Sequence, residues 1–298
     1  TLNKLAWGFA DNAVTTTLAS AFGRLEAGTT QIMVAPTMHG SMVNSILRES
    51  LERLSNRGVK VLPPRSGAGK ANLPDVAELV ARCVRCLGAQ KSPLAGRSIL
   101  VTAGPTPTPV DDVRLLTNRF TGATGLAIAE ALWRRGAEVE LILGGQAVSP
   151  PSWIAVTTVE SFDAYQTAVH ASQAEIGIFS AAVADYQPVE SKMGKIPSGG
   201  DLRQIDLVTT PKVIAEVKAK QPAMTMISFK LESGVTMDAL VEIAKARLND
   251  GSSMVVANRM EDRGAAVLVD AQGTREVPSR AELPDAVVTW LEGAFREA

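Results

Sequence analysis

The sequence predicts an α/β protein built on a doubly wound, mostly parallel sheet. Short apolar segments such as Ser98–Thr102 alternate with segments of helical periodicity such as Gly122–Arg135. Uninterrupted apolar strands are typical of parallel sheets, which helices cover on both faces. Hydrophobic residues make up 46% of the chain but aromatic residues only 4%, so aliphatic side chains and alanine must fill the core.

The length of the chain, 298 residues, is comfortable for two domains. Ala89–Gly96 is polar, contains Pro and Gly, and is the best candidate for a linker. We therefore place one domain at residues 1–91 and the other at residues 92–298.

The first domain is predicted to be a partial α/β unit. Its expected elements in chain order are a helix over 1–18, a strand over Gln31–Ala35, a helix over Asn44–Asn56, a strand over Val59–Leu62, a loop over Pro63–Asn72 and a helix over 74–87.

The second domain shows a regular alternation of strand and helix. The expected strands are Ser98–Thr102, Val139–Leu143, Trp153–Val159, Glu175–Ala182, Ile205–Val208, Met224–Phe229 and Met254–Ala257, with a hairpin formed by Ala265–Val269 and Thr274–Val277. The expected helices are Gly122–Arg135, Ser161–Ser172, Pro211–Lys220, Thr236–Leu248 and Ala281–Arg296.

Net charge and hydropathy bear on partners and location. A net charge of −1 and a pI of about 6.2 give no global electrostatic argument for binding nucleic acid or an anionic membrane. The sequence has no run of 18 apolar residues and no basic-then-apolar leader, so we expect a cytoplasmic protein without a membrane span. Because it starts at Thr1 inside a helical pattern, we also expect a processed or partial polypeptide.

The cysteines and histidines offer few ligands for a metal. Cys83 and Cys86 form a C-x-x-C pattern, but no second pair or nearby histidine completes a zinc set, so structural thiols are favoured over redox or metal use. Two cysteines in the chain are also easier to reconcile with a reducing compartment. His170 falls on a predicted helix and reads as structural, whereas His39 is either a tolerated loop residue or a ligand contact.

Polar residues follow the ends of several predicted strands, and in open α/β sheets ligands bind there. The loop Ala103–Arg114 follows the first strand of the second domain and is rich in proline. It matches neither G-x-G-x-x-G nor a Walker A loop, which disfavours a dinucleotide-dependent oxidoreductase.

The segment Thr117–Gly125 opens a predicted helix that Thr121 could cap. Gly122 and Gly125 would let a ligand approach the backbone, and the helix N-terminus would favour a phosphate. The alternative is an ordinary capped helix start.

Four more polar segments complete the set: Ser180–Tyr186, Lys192–Lys195, Phe229–Glu232 and Val255–Asn258. Taken alone, Asp185 could be a turn or helix cap, and Lys192 and Lys195 could be solvated lysines. Six polar segments on one side of one sheet, however, indicate an enzyme that handles nucleotides.

Residues 97–298 resemble the phosphopantothenate–cysteine ligases, whose ligase domain is Rossmann-like. The resemblance rests on VTAGPT (101–106), Asp111…Arg114…Asn118, GATGLAIAEA (122–131), RRGAEVELI (134–142), AAVADY (181–186), Lys195, FKLE (229–232) and VAN (256–258). It implies that the carboxylate of 4′-phosphopantothenate attacks the α-phosphate of a nucleoside triphosphate with Mg²⁺, and that L-cysteine then displaces the nucleotide.

The resemblance also implies roles for individual residues. Asn118, Lys195 and Arg114 are expected to be catalytic. Nucleotide binding is expected of Gly104, Ala182, Asp185, Lys195, Phe229, Lys230 and Asn258, and substrate binding of Asp111, Arg114, Asn118, Gly122 and Gly125. Mg²⁺ is expected to be bound mainly by oxygens of the triphosphate. The resemblance to the family also suggests a homodimer formed through the ligase domain.

Two departures from the family concern the nucleotide. Ile196-Pro-Ser198 follows Lys195 where bacterial members usually have further lysines, and Phe229-Lys-Leu-Glu-Ser233 is closer to the eukaryotic type. Bacterial ligases use CTP and eukaryotic-type ones can use ATP. We favour CTP and keep ATP as the alternative.

Residues 1–91 resemble, in part, the flavodoxin-like phosphopantothenoylcysteine decarboxylases. The matching segments are GFADNAVTTT (8–17), APTM (35–38) and ERLSNRGVKVLPP (52–64). His39 stands where the family has asparagine, and Gly67-Ala-Gly-Lys70 lacks the Cys-Gly of the active-site flap. The resemblance thus implies that decarboxylation is lost or depends on a missing segment or partner chain, and it leaves FMN binding open. The alternative function is a non-catalytic scaffold or nucleotide-binding subunit.

Overall fold

The computed structural model describes residues 1–67, 70–199, 204–262 and 264–296. The chain divides into two compact units, Thr1–Cys86 and Leu87–Ala298. The division falls inside a helix, whereas the linker expected from the sequence begins at Ala89.

The first unit combines helices with short strands. The helices are α1 (Leu2–Ala6), α2 (Ala13–Glu26), α3 (Ser45–Asn56) and α4 (Val76–Ala89), which continues into the second unit, with a 3₁₀ turn at Gly40–Met42. The strands are β1 (Met33–Val34), β2 (Met38–His39), β3 (Lys60–Val61), β4 (Arg65–Gly67) and β5 (Lys70–Asn72). Strands β1 and β3 pair in parallel, and β2, β5 and β4 form an antiparallel sheet. The buried core consists of Leu5, Ala6, Ile32, Leu54 and Val59.

The expected single helix over residues 1–18 is wrong, because the chain is interrupted between α1 and α2. Gly8 adopts a positive φ of 78°, and Asn12 caps α2. The side chain of Asn12 accepts a hydrogen bond from the Thr15 N–H at 3.0 Å, and Thr15 Oγ1 accepts one from the Asn12 N–H at 3.2 Å. This reciprocal pair is a capping box, which starts a new helix.

The expected loop over Pro63–Asn72 is also wrong, since it contains β4 and β5. Ser66 pairs with Ala71, and Met38 of β2 pairs with Ala71 from the other side. Residues 68 and 69, part of the segment in which the flap Cys-Gly was sought, lie outside the described residues.

The second unit contains the large sheet and the helices that cover it. Its helices are α5 (Ala123–Arg134), α6 (Phe162–Ala171), α7 (Val213–Lys220), α8 (Met237–Asn249) and α9 (Leu283–Ala294). Its strands are β6 (Ser98–Ala103), β7 (Thr108–Pro109), β8 (Leu115–Leu116), β9 (Glu138–Gly144), β10 (Ala155–Val159), β11 (Ile176–Phe179), β12 (Tyr186–Pro188), β13 (Leu207–Thr209), β14 (Thr225–Glu232), β15 (Met254–Arg259), β16 (Ala266–Asp270) and β17 (Gly273–Val277).

The eight-stranded sheet has the order β10-β9-β6-β11-β14-β15-β16-β17. The first six strands are parallel, and β16 and β17 are antiparallel to their neighbours. After β6 the chain first adds strands on one side and then on the other, which creates a switch point between β6 and β11. This arrangement confirms the predicted doubly wound, mostly parallel sheet.

The central strands are buried by aliphatic side chains, as the composition predicts. Leu100, Leu141, Ile142, Ile176 and Ile178 each have 0% of their surface exposed. Burial of such strands from both faces explains why their sequences lack polar alternation.

Two hairpins project from this framework and correct the expected strand list. The strand expected over Ile205–Val208 is not part of the large sheet; it appears as β13, paired with β12. Strands β7 and β8 form a second hairpin that the sequence did not indicate. The strand expected over Glu175–Ala182 ends at Phe179, and the chain continues as a loop. Within the described ranges, no helix has both the length and the apolar character needed to cross a membrane.

Candidate functional site

A cleft of about 440 Å³ opens at the carboxyl ends of the central strands of the second unit. Nine of the residues predicted for the site line this cleft: Gly104, Asn118, Gly122, Gly125, Ala182, Asp185, Phe229, Lys230 and Asn258. The remaining three, Asp111, Arg114 and Lys195, lie outside its lining.

Glycines let the backbone segments around the cleft approach one another closely. A Cβ atom on Gly104 would lie 2.0 Å from the Gly144 carbonyl oxygen, and Gly104 has a φ of +79°. A Cβ atom on Gly125 would lie 2.5 Å from Ser180 Oγ and 2.6 Å from Ala103 Cβ. The start of α5 therefore packs directly against the ends of β6 and β11, and a larger residue would push it away.

The N-terminus of α5 differs from the prediction. Gly122, with a φ of +85°, occupies the N-cap position, and no side chain caps the helix from there. Thr121 lies one residue earlier, and its Oγ1 accepts a hydrogen bond from the Ala123 N–H at 3.4 Å. Thr121 therefore does not occupy the N-cap position, although its hydroxyl does accept a hydrogen bond from the first N–H of the helix. Because Gly122 has no side chain to cap the helix, the N–H groups that follow Ala123 in the first turn can be presented to an anion.

The loop after β11 is fixed to the loop after β6. Ser180 Oγ donates to the Thr102 carbonyl at 2.6 Å, the Ala182 N–H donates to the Gly104 carbonyl at 2.9 Å, and the Ala184 N–H donates to Thr106 Oγ1 at 2.8 Å. These hydrogen bonds involve every second residue of the loop and hold its small residues along one wall of the cleft.

The side chain of Asn118, which lines the cleft, is hydrogen-bonded to the same loop. Its Nδ2 donates to the carbonyl oxygens of Ala182 at 3.0 Å and Val183 at 3.2 Å. The side chain is exposed, so its amide can exchange these carbonyl partners for ligand oxygens.

Basic side chains dominate the charge of the cleft. Lys212, Lys230, Arg247 and Arg280 line it, while Asp185 is the carboxylate found among its described lining residues. Lys212 Nζ lies 2.6 Å from Asp185 Oδ1. The chain as a whole carries a net charge of −1, so this local excess of positive charge indicates an anionic ligand.

Sequence reasoning missed Lys212, Arg247 and Arg280. Lys212 could have been found, because it follows Pro211 at the start of a helix directly after a predicted strand. Arg247 belongs to α8, and Arg280 precedes α9, so neither lies at a strand end where the sequence directs attention.

Strands β14 and β15 supply the remaining predicted residues. They run in parallel, with Phe229 opposite Val256 and Leu231 opposite Asn258. The half-buried Phe229 ring offers a flat apolar surface at this end of the cleft. Lys230 Nζ lies 2.7 Å from Glu232 Oε1.

Asp111 is buried outside the cleft. Burial alone would raise its pKa, but hydrogen bonds from the N–H groups of Ile196, Val113 and Arg114 and from the Arg114 guanidinium lower the pKa to about 2. Arg114 remains half-exposed, and the Lys195 side chain is exposed.

Tyr165 is a lining residue without an acid–base role near neutral pH. Burial raises the pKa of Tyr165 to about 12, and the Thr102 side chain, hydrogen-bonded to it, only partly opposes this shift. Its phenol therefore stays protonated.

The cysteines and histidines lie away from the cleft lining. Cys83 Sγ lies 3.8 Å from Met33 Sδ, and Cys86 Sγ lies 3.6 Å from Gln31 Oε1. His170 Nε2 lies 3.0 Å from Glu216 Oε2, and His39 Nδ1 lies 2.9 Å from Ser41 Oγ. Across the described residues, no group of three or more His, Cys, Asp or Glu side chains is arranged to hold a metal ion.

The packing of α5 gives a test with a matched control. Alanine normally stabilises a helix relative to glycine by up to about 1 kcal/mol, and we expect this for Gly293→Ala in α9, where a Cβ atom meets nothing within 4 Å. We expect Gly125→Ala to lower the free energy of unfolding by about 1–3 kcal/mol, because its Cβ atom would overlap Ser180 and Ala103. Urea denaturation followed by tryptophan fluorescence measures both changes. In a Trp7→Phe background this signal comes only from the second unit, because the other three tryptophans belong to it. Equal stability of Gly125→Ala and the parent would contradict the close packing.

Comparisons with known proteins agree with both units. Residues 1–88 match the family described as Flavoprotein, and residues 94–281 match the DNA/pantothenate metabolism flavoprotein C-terminal domain. The chain is 35% identical to the coenzyme A biosynthesis bifunctional protein CoaBC of Thermococcus kodakarensis, over 98% of this chain and 73% of that protein.

Two solved structures resemble the second unit. The DNA/pantothenate metabolism flavoprotein from Streptococcus pneumoniae superposes with a TM-score of 0.62 at 27% identity, over 67% of this chain and 100% of that one. The C-terminal domain of a coenzyme A biosynthesis bifunctional protein CoaBC gives a TM-score of 0.59 at 28% identity, over 70% of this chain and 100% of that one. The fold, the matched domains and these relatives together show that the chain belongs to the DNA/pantothenate metabolism flavoprotein family.

Proposed function

We propose that residues 87–298 ligate 4′-phosphopantothenate with L-cysteine, driven by a nucleoside triphosphate, as a step of coenzyme A synthesis. The observation that carries this proposal is the cleft at the carboxyl edge of the sheet, lined by four basic side chains and, within the described part of the chain, by Asp185 as its carboxylate. Family membership and the similarity to the coenzyme A biosynthesis protein of Thermococcus kodakarensis support the same pathway.

The first step joins two anions. A carboxylate oxygen of phosphopantothenate attacks the α-phosphorus, the bond from that phosphorus to the bridging oxygen breaks, and pyrophosphate leaves with the electron pair. Lys212 and Lys230 line the cleft and would offset the negative charge of the phosphates, and Lys195 and Arg114 are proposed to do so from the adjoining loops. Since phosphoryl transfer depends mainly on positioning and charge neutralisation, no further side chain is required as a nucleophile.

The second step transfers the acyl group. The cysteine amine attacks the acyl carbon, the bond from that carbon to the phosphate oxygen breaks, the nucleoside monophosphate leaves, and the amine loses a proton. Asn118 Nδ2, which donates to the Ala182 and Val183 carbonyls in this structure, is proposed to donate instead to the acyl oxygen. Holding both reactants in the cleft makes the attack effectively intramolecular.

We propose CTP as the nucleotide and ATP as the alternative. Gly104, Ala182, Asp185, Phe229 and Asn258 line one continuous cleft and are the proposed contacts. Mg²⁺ would enter with the triphosphate, whose oxygens and bound water provide most of its ligands. Asp185 is available at the cleft as a protein carboxylate.

A homodimer through the second unit is proposed from two exposed apolar hairpins. Leu115 and Leu116 on β8, Tyr186 on β12, and Leu207 and Val208 on β13 are all exposed. The hairpins touch, because Thr108 Oγ1 lies 3.5 Å from the Tyr186 carbonyl oxygen. Clustered apolar residues at a surface favour burial against another protein surface, here a second copy of the chain.

For the first unit, we propose that FMN binding and decarboxylation require another chain or segment. The parallel pair β1–β3 has only two residues in register on each strand, and a two-stranded sheet is marginal on its own. Trp7 and Phe9 are more than half exposed and provide an apolar surface for such a partner.

Asn118→Ala tests the ligase proposal. With Mg²⁺, L-cysteine and CTP or ATP, we expect the wild-type chain to release pyrophosphate only when phosphopantothenate is present. We expect Asn118→Ala to release pyrophosphate at least about 100-fold more slowly. Asn249→Ala, which removes an exposed amide at the end of α8, is the matched control and should behave as wild type. Circular dichroism checks that both variants fold. Absence of release by folded wild-type protein with either nucleotide would instead favour a non-catalytic, nucleotide-binding subunit.

Leu207→Glu tests the dimer. A charge on β13 should be costly at an apolar interface, so we expect sedimentation velocity to show a smaller assembly than for wild type. Val156→Glu places the same charge at another exposed apolar residue, on the edge strand β10, and should leave the assembly unchanged. Identical sedimentation of Leu207→Glu and wild type would contradict the proposed interface.

Titration with FMN tests the first unit. We expect the purified chain alone not to quench FMN fluorescence, because the proposed site is incomplete. Stoichiometric quenching by this chain would show that residues 1–86 form the site without a partner.

A further inference from the structure

Asp111 has a fully buried carboxylate that no role in ligand contact explains. Its side chain has 0% exposed surface, and it is absent from the lining of the cleft. A carboxylate buried in this way must act through the groups that it binds inside the protein.

Those groups come from two separate segments. Asp111 Oδ1 accepts hydrogen bonds from the N–H groups of Val113 at 2.8 Å and Arg114 at 2.7 Å. Asp111 Oδ2 accepts one from the Ile196 N–H at 3.0 Å and another from the Arg114 guanidinium. The carboxylate thus ties its own turn to a loop more than eighty residues further along the chain.

The loop that it holds contains Lys195, and further hydrogen bonds fix this loop on both sides of the lysine. Asp112 Oδ2 accepts from the Gly194 N–H at 2.7 Å, and Arg114 Nη1 donates to the Ile196 carbonyl at 3.2 Å. The Lys192 N–H donates to the Val110 carbonyl at 3.2 Å.

We propose that Asp111 is a positioning residue, which holds Arg114 and Lys195 on one rigid support and does not itself touch substrate. The inference deepens the proposed ligase function and rests on it for the chemistry. Arginine and lysine side chains are long and flexible, so fixing the backbone and one guanidinium edge in advance reduces the freedom that phosphate binding must remove.

Asp111→Asn tests this role, because it keeps the size of the side chain and removes the charge. We expect kcat/KM for pyrophosphate release to fall about 10- to 100-fold through misplacement of the two cations. Asp270→Asn is the matched control: Asp270 also anchors a turn, accepting from the Gln272 and Gly273 N–H groups at 2.8 and 3.0 Å, but lies away from the cleft lining. It should retain wild-type activity.

A double-mutant cycle separates positioning from general loss of stability. Because Asp111 is proposed to act partly through Lys195 and partly through Arg114, Asp111→Asn should cost less activity in a Lys195→Ala background than in wild type. Losses that multiply in the double variant would overturn the proposal, because they would indicate an independent contact or a global defect.

Trypsin provides a readout that does not require ligase activity. We expect cleavage after Lys195 to be at least about tenfold faster in Asp111→Asn than in wild type, since the loop is released. Asp112→Ala, which removes the acceptor of the Gly194 N–H from an exposed position, should accelerate the same cleavage, and Asp270→Asn should not. Unchanged cleavage in Asp111→Asn would overturn the proposal. An inactive wild type would instead contradict the ligase function, while cleavage would still decide the role of Asp111.

Discussion

Close approach of three backbone segments at glycines is the constraint on which the second unit depends. Cβ atoms on Gly104, Gly125 and Gly144 would each lie within 2.5 Å of another segment. Since no other residue lacks a Cβ atom, these positions allow the loop after β6 to meet β9 and allow α5 to start against β11. The switch point of the sheet would otherwise be filled, and the loops after β6 and β11 could not be hydrogen-bonded along one wall of the cleft.

Charge is distributed unevenly over this framework. The cleft contains Lys212, Lys230, Arg247 and Arg280, whereas acidic side chains elsewhere bring the whole chain to a net charge of −1. Some of the cations already have partners, as in the pair Lys212–Asp185. Such exposed pairs contribute little to stability, so an incoming polyanion can replace the carboxylate at small cost.

The sequence predicted the large sheet well because its strands carry their own pattern. Apolar runs such as Ser98–Thr102 lie where both faces are covered, and the glycines and Pro-rich loop between them mark the strand ends. The two projecting hairpins were harder to foresee. Strands β12 and β13 expose Tyr186, Leu207 and Val208, and an exposed apolar strand has the same sequence character as a buried one.

Some residues of the candidate site could likewise be predicted from the sequence, and others could not. Residues at strand ends, such as Asn258 and Phe229, could be predicted because topology alone brings them to one edge. The hydrogen bonds of Asp111 could not be, since they depend on a contact with Ile196 that no periodicity indicates. The break between α1 and α2 was missed although Asp11-Asn12 is a recognisable helix start, because helical periodicity continues across it.

The antiparallel pair β16–β17 has a consequence for synthesis on the ribosome. These strands turn the chain back towards the carboxyl edge, where Arg280 and Leu283 line the same cleft as Gly104. The cleft therefore takes its lining from the start and from nearly the end of the second unit, and a nascent chain that still lacks its final segment cannot enclose a ligand. Binding of the proposed nucleotide across the whole cleft would then follow completion of the unit and would not assist its early folding.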